Sequence, residues 1–131
     1  MSEKELFDKI DLAIESFKKT KAAQKNIRLS SKTQSDGWLT FNWRQMTWFE
    51  NGVNYQIEIY PGFSGDEIAG WNLYSAAWYD ENKKRYLQSK VFATNTTLDF
   101  IAGNCESLFL ESYLYVSQIK KEQIPFRVDL K

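Results

Sequence analysis

The clearest pattern of apolar and polar positions begins at Asn51-Gly52. After this dipeptide, apolar and polar residues alternate without a break over residues 53–59, as in a strand with one face in a core and the other in water. Asn-Gly is typical of a two-residue type I′ turn, because both central residues need a positive φ. We therefore predict a β-hairpin from Trp43 to Tyr60. Its pairs are Glu50 with Val53, Trp48 with Tyr55, and Met46 with Ile57.

The apolar positions ahead of this hairpin are out of phase with it by one residue. They are Leu39, Phe41 and Trp43. In a regular strand they would lie on the face opposite to Met46 and Trp48. A β-bulge near Arg44-Gln45 would restore one continuous apolar face, and this is the arrangement that we predict. The alternative is that Phe41 and Trp43 stay on the outer face of the sheet.

Two more strands are predicted, Trp71–Tyr79 and Arg85–Phe92, with a longer hairpin loop at residues 80–83. The first of these strands is apolar on both faces. One face carries Trp71, Leu73, Ala77 and Tyr79, and the other carries Tyr74, Ala76 and Trp78. Such a strand is central and covered on both sides, or it exposes aromatic residues to a partner.

The segment at residues 61–70 contains three glycines and predicts a mobile loop. It lacks the Lys and Ser/Thr of a phosphate-binding loop. Phe63 would lie at the tip of this loop, where an aromatic side chain can anchor an interface, because loops often carry function. The alternative is an ordinary strand connection.

Two helices frame the strands. Ser2 and Glu5 form a capping box at the start of the first helix, which we expect to end near Lys25 or Asn26. A polar connection follows over residues 27–37. The second helix is predicted from a cap at Thr96 (or Thr94) to about Lys121, and its apolar stripe includes Cys105. The alternating residues 126–131 predict a last edge strand that begins after Pro125.

These elements predict an α+β fold in a single domain over residues 1–131. It has an antiparallel sheet of four to five strands, flanked by an N-terminal and a long C-terminal helix, in the order α-β-β-β-β-α-β. A chain of 131 residues can bury a sizeable core without disulfides or metals.

Charge and composition restrict the partners and the cellular location that we expect for the protein. The 17 basic and 17 acidic residues cancel, so no overall field favours nucleic acid or a membrane. A run of six bases and no acid over residues 17–35 would suit phosphates or an acidic partner, although such runs at helix ends are commonly just solvated. The single cysteine, the charged N-terminus and the lack of a long apolar run predict a cytoplasmic protein without a membrane span.

Little catalytic chemistry is available. The chain has no histidine, the commonest general base and metal ligand. Cys105 falls on the core stripe of the second helix, where a buried thiol is inert. The adjacent acids Asp66-Glu67 and Asp80-Glu81 lie in predicted turns. We therefore expect no enzyme activity, no metal and no cofactor.

The remaining hypothesis is a small non-enzymatic protein-binding module, such as an inhibitor or immunity-type protein that binds and neutralises a protein partner. Its binding residues would be Phe63, Asp66, Glu67, Tyr74 and Trp78. These aromatic residues exceed what one core face needs, and exposed aromatic clusters mark interaction sites. Self-association into a homodimer would be the competing use of the same surface.

The alternative function is single-stranded nucleic-acid binding by sheet aromatics on which bases could stack. Its platform would consist of Trp38, Trp43, Trp71 and Trp78. The strands carry few basic residues to contact phosphates, and Glu50 and Glu58 would repel them. Nucleic-acid binding is therefore the second choice.

Overall fold

The computed structural model describes the backbone of residues 1–20, 28–36 and 39–131, and the side chains of residues 1–19 and 41–131. The elements are α1 (Glu3–Thr20), β1 (Arg28–Asp36), β2 (Leu39–Glu50), β3 (Val53–Ser64), β4 (Glu67–Glu81), β5 (Lys84–Thr96), α2 (Leu98–Val116), a 3₁₀ turn (Lys121–Gln123) and β6 (Phe126–Asp129). The strands form one antiparallel sheet in chain order, β1 to β6. The predicted α+β class, with an antiparallel sheet and two helices, is confirmed.

The sheet has one strand more than predicted. Residues Arg28–Asp36, predicted as part of a polar connection, form β1 and pair with β2 over their whole length. Strand pairing is made by the backbone, so an edge strand can be polar and leave no apolar alternation in the sequence. Ile27 and Gly37, the ends of the predicted connection, lie outside the described residues.

The hairpin at Asn51-Gly52 is confirmed. Asn51 has a φ of 52° and Gly52 a φ of 80°, as a type I′ turn requires. The three predicted pairs are present in the β2–β3 register. Their inner-face side chains are buried: Met46, Trp48, Val53, Tyr55 and Ile57.

The predicted bulge near Arg44-Gln45 is wrong. The β2–β3 pairing continues without a shift to Arg44, which lies opposite Ile59 on the inner face. Its guanidinium lies over the ring of Phe7 at 4.4 Å and bonds to Asp11 at 2.7 Å. Because α1 supplies these partners, the charge is accommodated and the strand stays regular. Phe41 and Trp43 therefore remain on the outer face.

The predicted loops on either side of β4 are shorter than expected. Residues 61–70 are not a mobile loop, because β3 and β4 pair almost to their ends and turn at Gly65-Asp66. Gly65 has a φ of 65° at the first turn position, the pattern of a type II′ turn. Asn82 and Lys83 both have positive φ and make a two-residue turn between β4 and β5.

The helix ends differ in detail from the prediction. The Ser2–Glu5 capping box is present, with the Glu5 amide donating to the Ser2 hydroxyl at 3.2 Å. The predicted end of α1 near Lys25 or Asn26 lies outside the described residues. The cap of α2 is Thr97 instead of Thr96, since Thr96 still pairs in β5. The helix ends at Val116, short of Lys121, and is kinked at Asn104.

Both helices pack on the inner face of the sheet and build one core with it. Phe109 of α2 meets Phe17 of α1 edge to face, with ring centroids 6.2 Å apart. The Tyr55 hydroxyl donates to the carbonyl of Ile119 at 2.7 Å, which fixes the chain after α2 to the sheet. The predicted edge strand is confirmed, as β6 pairs with β5.

Cys105 is buried among these core residues, as predicted. Burial raises the pKa of its thiol to about 11. Compared with an unfolded chain, this lowers the thiolate fraction near neutral pH by about 100-fold. We therefore expect thiol reagents to label the native protein at least about 100 times more slowly than the unfolded protein. Cys105→Ala should lower stability and leave partner binding unchanged, whereas rapid labelling of native protein would contradict the core placement.

Candidate binding surface

The candidate site is the outer face, which is the side of the sheet opposite α1 and α2. No helix of the described part of the chain lies on it. Because side chains alternate along strands, the register brings the residues that do not face the core together here. From β2 and β3 they include Phe41, Trp43, Gln45, Thr47, Phe49, Asn54, Gln56, Glu58 and Tyr60; from β4 and β5 they include Asn72, Tyr74, Ala76, Trp78, Leu87 and Val91.

One end of the outer face carries an aromatic cluster made of Phe41, Trp43, Tyr60 and Phe63. The ring of Phe41 lies 4.9 Å from that of Phe63 and 5.5 Å from that of Trp43, centroid to centroid. Phe63 packs on Phe41 and Tyr60 of this face, next to the point where the β3–β4 register shifts. Strict alternation from Ile59 would instead place Phe63 on the inner face.

The middle of the outer face contains a buried carboxylate. Only 7% of Glu58 is exposed, and its Oε2 accepts a hydrogen bond from the Gln45 amide at 2.8 Å. The Tyr74 hydroxyl also bonds to Glu58. Burial, and then the Glu58 charge, raise the pKa of Tyr74 well above its usual value. Tyr74 therefore keeps its hydroxyl proton at every physiological pH.

A second set of bonds extends this network to Trp78. The Gln56 amide donates to the Tyr74 hydroxyl at 3.4 Å, and its oxygen accepts from the Trp78 indole at 3.3 Å. Arg85 lies over the Trp78 ring at 4.5 Å and is held by two bonds to Asp80, at 2.8 and 2.9 Å. These bonds lower the pKa of Asp80. Trp78 is thus fixed by its indole nitrogen and by one face of its ring.

The surface beside Trp78 is a shallow depression of ≈ 580 Å³. It is lined by the rings of Phe49 and Trp78 and by the polar side chains of Thr47, Asn54 and Gln56, among others. Phe49 is 67% exposed, the most open aromatic side chain of this face. The depression therefore combines apolar walls with amide groups that can donate and accept hydrogen bonds.

The five predicted site residues all lie on or next to the outer face, but they do not form one cluster. Phe63 belongs to the aromatic cluster, and Asp66 and Glu67 are exposed at the tip of the same hairpin. Tyr74 lies in the middle. Phe63 pairs with Ile68 of β4, and Trp78 lies ten residues further along that strand. At ~3.3 Å per residue, Trp78 is therefore about 33 Å from Phe63 along β4.

Sequence reasoning missed several members of this surface. The predicted bulge would have turned Phe41 and Trp43 toward the core. These two residues are out of phase with Met46 and Trp48 by one position, and in a strand without a bulge this difference places them on the outer face. Glu58 and Gln56 look like ordinary solvated positions of an alternating strand. Only the β3–β4 register shows that they bridge Tyr74 and Trp78.

The described residues offer no site for a bound metal, since none of their His, Cys, Asp and Glu side chains gather in groups of three or more suited to one. None of the described helices has the length and apolar character needed to cross a membrane. Comparison of the chain with protein-family models, curated proteins and solved structures finds no match. The functional argument therefore rests on the surface itself.

Proposed function

We propose that this protein is a small non-enzymatic protein-binding module that holds its partner against the outer face of the sheet. The observation that carries this proposal is the aromatic content of a face that no described helix covers. Exposed or half-exposed rings include Phe49, Phe63 and Trp78. Aromatic residues of this kind dominate the binding energy of protein interfaces.

The fixed geometry of these rings supports the same conclusion. Trp78 is held by Gln56 and Arg85, and Phe63 packs against Phe41. Side chains that are already ordered lose little conformational entropy when a partner binds, so more of the contact energy appears as affinity. A buried polar network also sets which hydrogen bonds the surface can offer, which favours one partner over others.

The charges that β2–β5 place on the outer face favour a protein over a nucleic acid. Among the described side chains of these strands, the cation on this face is Arg85, and Asp80 already neutralises it. Nucleic-acid binding depends on several Lys or Arg contacts to phosphates. Trp38, part of the alternative base-stacking platform, lies outside the described residues, and Trp71 is in the core.

Within this class we propose an inhibitor or immunity-type role, in which binding neutralises the partner. The support is a rigid face together with the exposed acids Asp66 and Glu67 at the tip of the β3–β4 hairpin. Acids at the margin of an interface steer a positively charged partner and act mainly on the association rate. A basic enzyme or toxin would suit this arrangement.

The test is quantitative capture of the partner from native lysate by the tagged protein. We expect Trp78→Ala and Phe63→Ala to weaken capture by about 30-fold, since truncation of an aromatic anchor costs about 2 kcal/mol. Phe49→Ala should also weaken it, and that side chain is too exposed for its loss to disturb folding. Val128→Ala, on the exposed edge strand β6, is the matched control and should capture normally.

Two results would contradict the proposal. Capture that is unchanged in all three aromatic variants would remove the outer face from the interface. Binding of single-stranded nucleic acid that falls steeply with added salt would favour the alternative function. Light scattering of the pure protein shows whether it self-associates, and light scattering of Trp78→Ala shows whether the outer face is the contact between copies.

A further inference from the structure

The surface on the opposite side of the molecule carries an apolar stripe of its own. On α2, the residues that point directly away from the core recur at intervals of three and four. They are Phe100, Gly103, Ser107, Leu110 and Leu114, and all are exposed. Leu114 is 58% exposed and Phe100 is 48% exposed. Single exposed apolar residues are ordinary, but Phe100, Leu110 and Leu114 lie on the same side of α2, on either side of the kink at Asn104. Several exposed apolar residues on one side of a helix are typical of a contact surface.

This stripe borders a groove between α1 and α2. The groove is lined by Lys9, Leu12, Ala13 and Ser16 of α1 and by residues 102–107 of α2, which include Gly103, Glu106 and Ser107. Leu110 and Leu114 lie beyond this lining, further along α2. A side chain added at Gly103 would meet no atom within 4 Å. Small residues along the floor let another backbone approach closely, and Leu12 on the α1 side is 73% exposed. The shape therefore suits a helix laid along the groove.

The charges beside the stripe are acidic on both margins. Glu106 and Asp99 lie on one side and Glu111 on the other, and α2 contains no basic residue. Across the groove, α1 contributes Lys9 to the described lining. If two copies paired through this stripe, their acids would face each other and repel. A partner with Lys or Arg beside its apolar residues would be complementary.

We propose that the exposed stripe of α2, together with the adjoining α1–α2 groove, binds an amphipathic helix of a partner protein, with leucine-type residues on one face and Lys or Arg at the margins of that face. The apolar residues of the partner helix would pack on Leu110, Leu114 and Leu12. Its Lys or Arg side chains would lie next to Glu106 and Glu111. This surface is separate from the outer face. With both occupied, the protein would join two partners on opposite sides of one sheet.

The test uses two synthetic helical peptides of about five turns that share the same leucine positions. One carries Lys at the other positions and the second carries Glu. Titration of the full-length protein should show binding of the Leu–Lys peptide and binding at least about tenfold weaker for the Leu–Glu peptide. Leu114→Asn should weaken the Leu–Lys complex about tenfold, and Glu106→Gln with Glu111→Gln should reduce its sensitivity to salt. Val91→Asn, an exposed change on the outer face, should leave peptide binding unchanged.

The proposal is overturned if the two peptides bind equally, if neither binds, or if Leu114→Asn has no effect. It is also overturned if the pure protein is a dimer that Leu114→Asn dissociates, because the groove is then filled by a second copy. Peptide titration does not depend on whether Trp78→Ala weakens partner capture. The groove and the outer face are therefore tested separately.

Discussion

Phe109→Ala is expected to lower the free energy of unfolding by about 3–5 kcal/mol, the range for deletion of a large buried aromatic side chain. Phe109 is only 1% exposed. Its ring meets Phe17 of α1, and the helix that carries it packs on β3, β4 and β5. Its loss would leave a cavity where α1, α2 and the sheet meet, and the surrounding backbone can fill that cavity only in part.

The control for this prediction is Leu114→Ala, which removes a side chain from the opposite side of the same helix. Because Leu114 is mostly exposed, we expect a change within about 0.5 kcal/mol. Denaturant unfolding of both variants, followed by circular dichroism, gives the comparison. Equal losses of stability would mean that α2 does not pack with the Phe109 side inward.

Gly52→Val is expected to lower the free energy of unfolding by about 2–3 kcal/mol. Gly52 has a φ of 80°, and a β-branched residue is strained in this left-handed region. The strain is conformational, because the nearest atoms to an added Cβ are on the flexible Lys121 side chain at 3.9 Å and beyond. The Asn51-Gly52 turn also sets the register of the β2–β3 hairpin, so the effect should reach the core.

Gly52→Asn is the matched variant for this turn, because Asn tolerates a positive φ far better than Val does. We expect it to lose less than half as much stability as Gly52→Val in the same denaturant titration. Similar midpoints for Gly52→Val and the unchanged protein would contradict the type I′ assignment.

The hairpin shows what the sequence can predict well. Asn51-Gly52 dictates both the turn and the pairing, and the alternation that follows dictates which side chains are buried. The two faces of β4 were predicted for the same reason, since strand periodicity is a local property. The capping box at Ser2 is likewise local, because its two residues are three positions apart.

The features that were missed depend on contacts between distant parts of the chain. Arg44 can occupy a position on the inner face because Asp11 of α1 lies beside it. The sequence of β2 alone contains no pattern that predicts this ion pair. β1 is held by its backbone pairing with β2 and carries no apolar alternation. Phe63 packs on Phe41 of the outer face, although strict alternation from Ile59 would place it on the inner face.

The sequence predicted correctly which face of β4 carries two of the candidate site residues. The surplus of aromatic residues over one core face placed Tyr74 and Trp78 outward, where the structure has them. Their bonds to Glu58 and Gln56 could not be predicted, because these depend on cross-strand register. The same bonds fix the positions of the Tyr74 and Trp78 side chains on this face.

The central claim is that the partner contacts the outer face, and hydroxyl-radical footprinting of the captured complex tests it most directly. This method reports the solvent access of individual side chains, and aromatic rings are among the most readily oxidised. We predict that partner binding protects Trp78, Phe49 and Phe63, while Phe126 on the β6 edge, already exposed, is oxidised as in the free protein. Unchanged oxidation of Trp78, Phe49 and Phe63 in the complex would contradict the claim.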